Sequence, residues 1–340
     1  MHCAHCRQAI TGRYMRVGKL AFHPEHFLCR ACQSPIQGSF QVFQGAFLHP
    51  ACYEAKHAPR CAVCTQPLVG RHVVHEGKPM HDVCYGKHFA KQCDLCRRMI
   101  VGAYVTDYWG HTYHAEHTRE FAECMYCGKL VHPAISGGGT TYPDKRAVCR
   151  GCHKTAVHRD ADGQRVVASV RARMAGWGVD LGNLVVPVRL IDRNQLSTML
   201  KGGPHASMRR VSGFAGMTWE AQGKSVQNKK ASIYLLNGMP LSVLEATAAH
   251  ELMHVWNFFN GPRHAFALEE GSCNYMSYRV HEAQGGELAD YHIDCLMKDP
   301  DPAYGEGFRK VKRYADRHGF ERLLTMLQRS SDFPVLGGLF

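Results

Sequence analysis

His250, Glu251 and His254 stand together in the stretch HELMH, and residues of these types at this spacing can carry out hydrolysis at zinc. Helical residues four apart share a face, so both imidazoles can bind one ion. Hydrolytic zinc keeps three protein ligands and leaves a fourth position for water. Glu251, beside the histidines, is placed to take a proton from that water. The nearest downstream acidic candidates for third ligand are Glu269 and Glu270. On a helix over 267–283, Glu270 heads the row Asn274, Ser277, His281, polar throughout as suits a cleft. Glu269 heads Cys273, Met276, Val280, an apolar row expected in the core, and sits near the helix start, where a carboxylate favours the dipole. Glu270 is therefore the expected ligand. Asn274 is expected to brace a ligating imidazole, and Gly271 to let this helix approach the HELMH helix closely. An oxyanion also needs a donor. Tyr304, Tyr291, Tyr275 and His292 can each provide one and the sequence does not choose among them; Tyr304 is named beside Glu251 as the candidate catalytic pair.

A second kind of metal chemistry fills the first 152 residues. Cys-x-x-Cys knuckles recur, each followed after about twenty residues by another close pair. The units are Cys3, Cys6, His23, His26; Cys29, Cys32, His49, Cys52; Cys61, Cys64, His81, Cys84; Cys93, Cys96, His114, His117; and Cys124, Cys127, Cys149, Cys152. All fourteen cysteines of this segment are used and each unit closes at four ligands. Four N/S ligands with no open position describe structural zinc, which must hold units too small for a core of their own. His111 competes with His114 in the fourth unit. The expected total is one catalytic and about five structural Zn2+.

These groups need elements to position them. Residues 240–261 form the expected central helix, with Ser242 and Glu245 as a capping box and Gly261-Pro262 as its stop. Residues 163–176 are expected to be helical; 184–192, 211–220 and 231–240 are expected strands, with Pro187 toward an edge. The strand at 231–240 runs directly into the helix and is either the edge lining the cleft, where an extended peptide can add, or an ordinary core strand. Helices are expected over 267–283, 287–297 and 305–330, the last two flanking a Pro/Asp-rich turn at 299–302.

Composition limits the function classes. The net charge of +12 shrinks once fourteen thiolates and five zinc ions are counted, and no basic stripe interleaves with aromatics, which argues against nucleic acid. No apolar run is long enough to span a bilayer, and with ligand-like Cys3 following almost at once no charged-then-apolar leader is expected. Paired Cys/His ligands suit a reducing, cytoplasmic setting.

Residues 3–52, two zinc units joined by two residues with Phe27 at the junction, resemble a LIM domain, although His26 and His49 stand where Cys is commoner. HExxH followed by Glu-Gly resembles the gluzincin metallopeptidases. LIM units, AHELMH, EEGSCNY and PAYGEGFRKVKRYADRHGFERLL together resemble the DA-one family, ubiquitin-activated LIM-domain peptidases of plant growth control. The resemblance implies an α+β fold: a LIM domain (1–56), a half-LIM-like unit (57–90), a LIM-like pair (91–155) and a zinc metallopeptidase domain (156–340), the last a small mixed sheet with the HExxH helix and a helical C-terminal part. It implies zinc ligation by His250, His254 and Glu270, acid/base catalysis by Glu251, protein substrates, and protein partners through the LIM modules. Plant members carry ubiquitin-interacting motifs ahead of the LIM domain; these 340 residues begin at the first knuckle, so ubiquitin control is left open. The alternative is a LIM interaction scaffold with an inactive peptidase domain.

Overall fold

The computed structural model describes residues 1–68, 70–100, 102–200, 212–222 and 225–334. The chain divides into two compact units, Met1–Cys93 with Arg98–Val101, and Asp94–Arg97 with Gly102–Phe340. The boundary falls at the fourth knuckle.

In the first unit each zinc module repeats one plan: a knuckle, a short antiparallel hairpin, and a turn of helix carrying the closing ligands. The hairpins pair Met15–Val17 with Leu20–Phe22, Gln41–Phe43 with Ala46–Leu48, and Val73–His75 with Lys78–Met80. Phe27 is fully buried, with Phe22, Phe40 and Phe47 at ring distances of 5.0–5.4 Å. That aromatic cluster joins the first two zinc units into one small core, as the junction residue suggested.

The second unit is built around one mixed sheet and a stack of helices. Helix α1 (Asp160–Gly176) leads to strand β1 (Val188–Ile191) and helix α2 (Arg193–Met199), then to a long hairpin of β2 (Gly213–Gln222) and β3 (Ser225–Leu236). The sheet order is β1-β3-β2, with β1 parallel and β2 antiparallel to β3. The strand preceding the HELMH helix is thus central, and the edges are β1, where Pro187 leads in, and β2. Of the two readings of 231–240 the interior strand holds: Ile233–Leu235 are paired on both sides, with β1 and with β2.

Helix α3 (Leu241–Asn260) carries HELMH and is buried along most of its length. Its start is not a capping box. Pro240 is the N-cap, and no side chain bonds the first turn. The Ser242 carbonyl and the Glu245 carboxylate instead accept from Nε2 of Gln284, tying α3 to the end of α4 (Phe266–Gln284). Gly261 ends the helix with extended backbone, φ −117°. What it supplies is closeness, since a Cβ there would lie 2.7 Å from the carbonyl oxygen of Leu327. Helices α5 (Glu287–Lys298), α6 (Gly307–His318) and α7 (Phe320–Arg329) complete the fold. The expected 305–330 helix is split at Gly319, whose φ of +89° no helix accommodates.

The fifth zinc unit shares this core. Cys124, Tyr126, Cys127, Val148, Cys149 and Cys152 are buried in one cluster with the residues of α3 and the sheet. Its anchor is Arg146, 1% exposed, which donates through Nε to Asp144, through Nη1 to the Tyr126 hydroxyl and the Asn237 carbonyl, and through Nη2 to Asn237 Oδ1. A guanidinium so deep needs such a full set of acceptors.

Candidate metal centre and cleft

The five sets of Cys and His ligands each converge, with their ligand atoms within 4.8 Å of one another. His114, not His111, completes the fourth set; Nδ1 of His111 is held by Asp107 at 2.9 Å. Pairs within the sets, such as Cys32 Sγ to His49 Nδ1 at 3.4 Å and Cys127 Sγ to Cys149 Sγ at 3.6 Å, fit the edges of a zinc tetrahedron. Nε2 of His49 and of His81 donates to the Pro35 and Pro67 carbonyls, which fixes Nδ1 as the ligating nitrogen. Burial opposes ionisation of Cys29, but backbone N–H groups of His49, Cys32 and Ala31 win and hold it down at about 6. The clusters are consistent with zinc in LIM modules.

On α3, His250 Nε2 and His254 Nε2 are 3.2 Å apart. Glu270 Oε2, from α4, lies 3.4 Å from the first and 3.6 Å from the second. Ligands 2.0–2.1 Å from a tetrahedral ion stand about 3.3 Å apart, so the three atoms fit one face around zinc. The imidazoles hold the Glu270 carboxyl well below its usual range, against a burial that pushes it up.

Glu269 is not packed in an apolar core. Its carboxylate takes Nδ1 of His254 at 2.7 Å, Nδ1 of His264 at 2.8 Å and Nδ2 of Asn257 at 3.1 Å. Nε2 of His264 in turn donates to the Leu327 carbonyl at 2.8 Å, linking the cluster to α7. The imidazole-bracing role expected of Asn274 therefore falls to Glu269. Asn274 donates to the Tyr304 carbonyl at 3.0 Å. His264 was invisible to sequence reasoning because it lies in the irregular GPRHA stretch, outside any ligand spacing.

Glu251 lies beside the triad, almost fully buried. Burial pushes its carboxyl up, against the imidazoles of His250 and His254, while the Ala215 N–H of β2 donates to it. Gly213 makes that approach possible, because a Cβ there would meet Glu251 Oε1 at 2.6 Å.

Tyr304 reaches the same place from a wide turn, Pro302–Glu306, closed by i→i+5 bonds. Asp301 Oδ1 accepts from the Ala303 and Tyr304 N–H groups, and the Tyr304 hydroxyl bonds Glu270. Burial and then Glu270 push the phenol up. The rest of YGEGFR makes the turn fit. Cβ atoms on Gly305 and Gly307 would lie 2.0 Å and 2.2 Å from the Asp299 and Ala267 carbonyl oxygens. Phe308 is fully buried, and Arg309 donates to the Met297 and Asp299 carbonyls. Gly271 meets Gly307, with a Cβ only 2.4 Å from its carbonyl carbon. Its small size thus serves the contact of α4 with α6, not with α3 as expected.

These groups open on a cleft of about 830 Å3. His250, Glu251, His254 and Tyr304 line it, as does the row Asn274, Ser277, His281. Of the other donors considered, Tyr291 and His292 line it farther along, whereas Tyr275 does not and packs on Tyr278 and Phe320. The strand edge along the cleft is β2, through Gly213, Phe214, Ala215 and Met217. Among the described residues, no helix is long and apolar enough to cross a membrane.

Residues 3–57 match the LIM domain family, and residues 187–287, from β1 to the end of α4, match the DA1-like family, described as Protein DA1. LIM domain-containing protein HDR3 of Oryza sativa subsp. japonica is 23% identical over 98% of this chain and 74% of its own length. Protein DA1-related 2 of Arabidopsis thaliana is 24% identical over 98% and 70%. PDZ and LIM domain protein 7 of Mus musculus is 38% identical over 17% of this chain and 13% of its own length.

Proposed function

We propose that this chain, which joins a LIM domain to a DA1-like domain in the DA1-type combination, is a zinc-dependent endopeptidase acting on protein substrates in the cytoplasm. The observation that carries the reading is the triangle of His250 Nε2, His254 Nε2 and Glu270 Oε2, 3.2–3.6 Å on each side, beside a buried carboxylate in an open cleft. A Zn2+ held by those three residues supplies Lewis-acid chemistry, polarising a carbonyl and lowering the pKa of water.

The chain's own groups would do the rest. Glu251 takes a proton from the attacking water and passes it to the leaving amine, a task that suits a carboxyl pushed up by burial. The Tyr304 hydroxyl, its proton retained because the phenol is pushed up, donates to the developing oxyanion. The outer edge of β2, which pairs with β3 on its other side, offers backbone groups to an extended substrate. The LIM modules bind the substrate or a regulatory partner, as such modules do.

The test compares the native chain with Glu251→Gln by identifying new protein N-termini in cells expressing each. Cleavage products present with the first and absent with the second are expected, at equal zinc content. Products at equal levels in both, or in neither, would overturn the peptidase reading; absence from both favours the scaffold alternative.

A further inference from the structure

One stretch of the cleft lining comes from the fifth zinc unit, more than a hundred residues before HELMH. Met125 and Tyr126, the two residues inside the fifth knuckle, line it together with Val243, Ala246 and Thr247 of α3. Those three lie on the same helix face as His250, three to seven residues before it, so at 1.5 Å per residue they stand about 5–10 Å from it along the helix axis. That is one to three residues along an extended chain. The polar row of α4 adjoins this lining, with Ser277 Oγ donating to the Ala246 carbonyl at 2.8 Å. His281 ends that row, stacked on His292 at 4.9 Å. Burial drives His281 down to about 4, so it is uncharged at neutral pH.

The knuckle is held rigidly in this position. The Tyr126 hydroxyl is fixed by Arg146, which also grips Asn237 just before α3. The Leu241 N–H bonds the Thr155 carbonyl, so the start of α3 is tied to the residues that follow the fifth zinc unit. On the far side Gly128 meets Tyr291 of α5, where a Cβ would lie 2.5 Å from the hydroxyl. Trp109 donates to the Cys127 carbonyl at 2.8 Å and stacks on the same Tyr291. Four buried cysteine ligands flank the two lining residues.

We infer that the fifth zinc unit is a wall of the substrate cleft, and that Met125 lines a subsite taking a bulky apolar side chain one to three residues from the bond attacked. The inference rests on the peptidase reading for its substrate and adds the side-chain class. Met125 is suited to the task. It is half-buried, carries no charge, and its thioether adapts to aliphatic and aromatic shapes alike. The methyl groups of Val243, Ala246 and Thr247 complete an apolar lining.

The test uses the full chain as Glu251→Gln, so that peptides bind without turnover, in three forms: Met125, Met125→Ala and Met125→Leu. Labelled peptides identical except for Ala, Leu, Phe or Lys at one scanned position are titrated by fluorescence anisotropy. At one position Leu and Phe should bind about tenfold or more tightly than Ala, with Lys weakest. Met125→Ala should lower the Leu/Ala ratio about tenfold and Met125→Leu restore it, at equal zinc per chain. If Met125→Ala loses zinc, Met125→Phe carries the test, because filling the subsite must penalise Phe more than Ala. Equal affinities for all four peptides, or a ratio indifferent to residue 125, would overturn the inference. Hydrolysis of the tightest peptide by the chain with Glu251 separates the two readings. Hydrolysis with an indifferent ratio sinks the subsite alone; a Met125-dependent ratio without hydrolysis sinks the peptidase reading and supports the wall.

Discussion

Oε1 of Glu269 lies 2.7 Å from Nδ1 of His254, while Glu270, its neighbour in sequence, reaches Nε2 of the same ring at 3.6 Å. Two adjacent carboxylates thus grip one imidazole from opposite sides. One accepts from Nδ1 and the other faces Nε2, the arrangement in which a metal-bound histidine donates its second N–H to a carboxylate.

Glu270→Ala should therefore lose the catalytic zinc and all hydrolysis. Glu269→Ala should keep the ion but bind it about 10–100-fold more weakly. Competition with a graded chelator, followed by activity and zinc content, distinguishes them. Equal loss in the two variants, or the reverse order, would reassign the ligand.

Metal analysis of the purified chain should find six zinc ions, five in closed tetrads and one held by three protein ligands. The three-ligand ion should leave first under a mild chelator, abolishing hydrolysis while the circular dichroism of the zinc modules persists. Three or fewer tightly bound ions would contradict the five-tetrad assignment.

Tyr304→Phe should lower kcat by roughly 10²–10³ with little change in KM, since the hydroxyl acts on charge that develops only in the transition state. Zinc content should not change. A selective rise in KM would place Tyr304 in ground-state binding instead.

Gly307→Ala should cost roughly 1–3 kcal/mol, because its Cβ would lie 2.2 Å from a backbone oxygen that cannot swing aside. The shift must displace the Tyr304 turn, so activity should fall further than the melting temperature indicates. Full activity in a destabilised chain would show that the turn tolerates the change.

Arg146→Ala removes the partner of Asp144, whose side chain is 3% exposed. Asp144 keeps the backbone N–H groups of Arg193 and residue 146, but removing one partner of a buried ion pair costs about 3–5 kcal/mol, which should lower the thermal midpoint by on the order of 10 °C. Differential scanning calorimetry reads this; a change within 2 °C, about the smallest shift expected per kcal/mol in a domain of this size, would mean that the fifth zinc unit does not depend on the anchor.

The sequence by itself carried whatever is decided within one element. Cys-x-x-Cys closes a knuckle locally, and HELMH on a helix brings two imidazoles onto one face, so the Cys/His tetrads and the facing imidazoles were legible from spacing alone. The polar row through Glu270, Asn274, Ser277 and His281 was legible for the same reason. The tertiary structure decided whatever depends on which surfaces meet. It put β2 rather than β3 at the cleft edge, because strand order follows from pairing partners far apart in the chain. Docking of α4 against α3 gave Glu269 to the back of His254. Gly271 went to Gly307, since a glycine's need for closeness shows in sequence while the neighbour it admits does not. His264 and Met125 carry no periodic signal. Each reached the site through packing between segments more than a hundred residues apart or through an irregular loop, where spacing along the chain says nothing about distance in space.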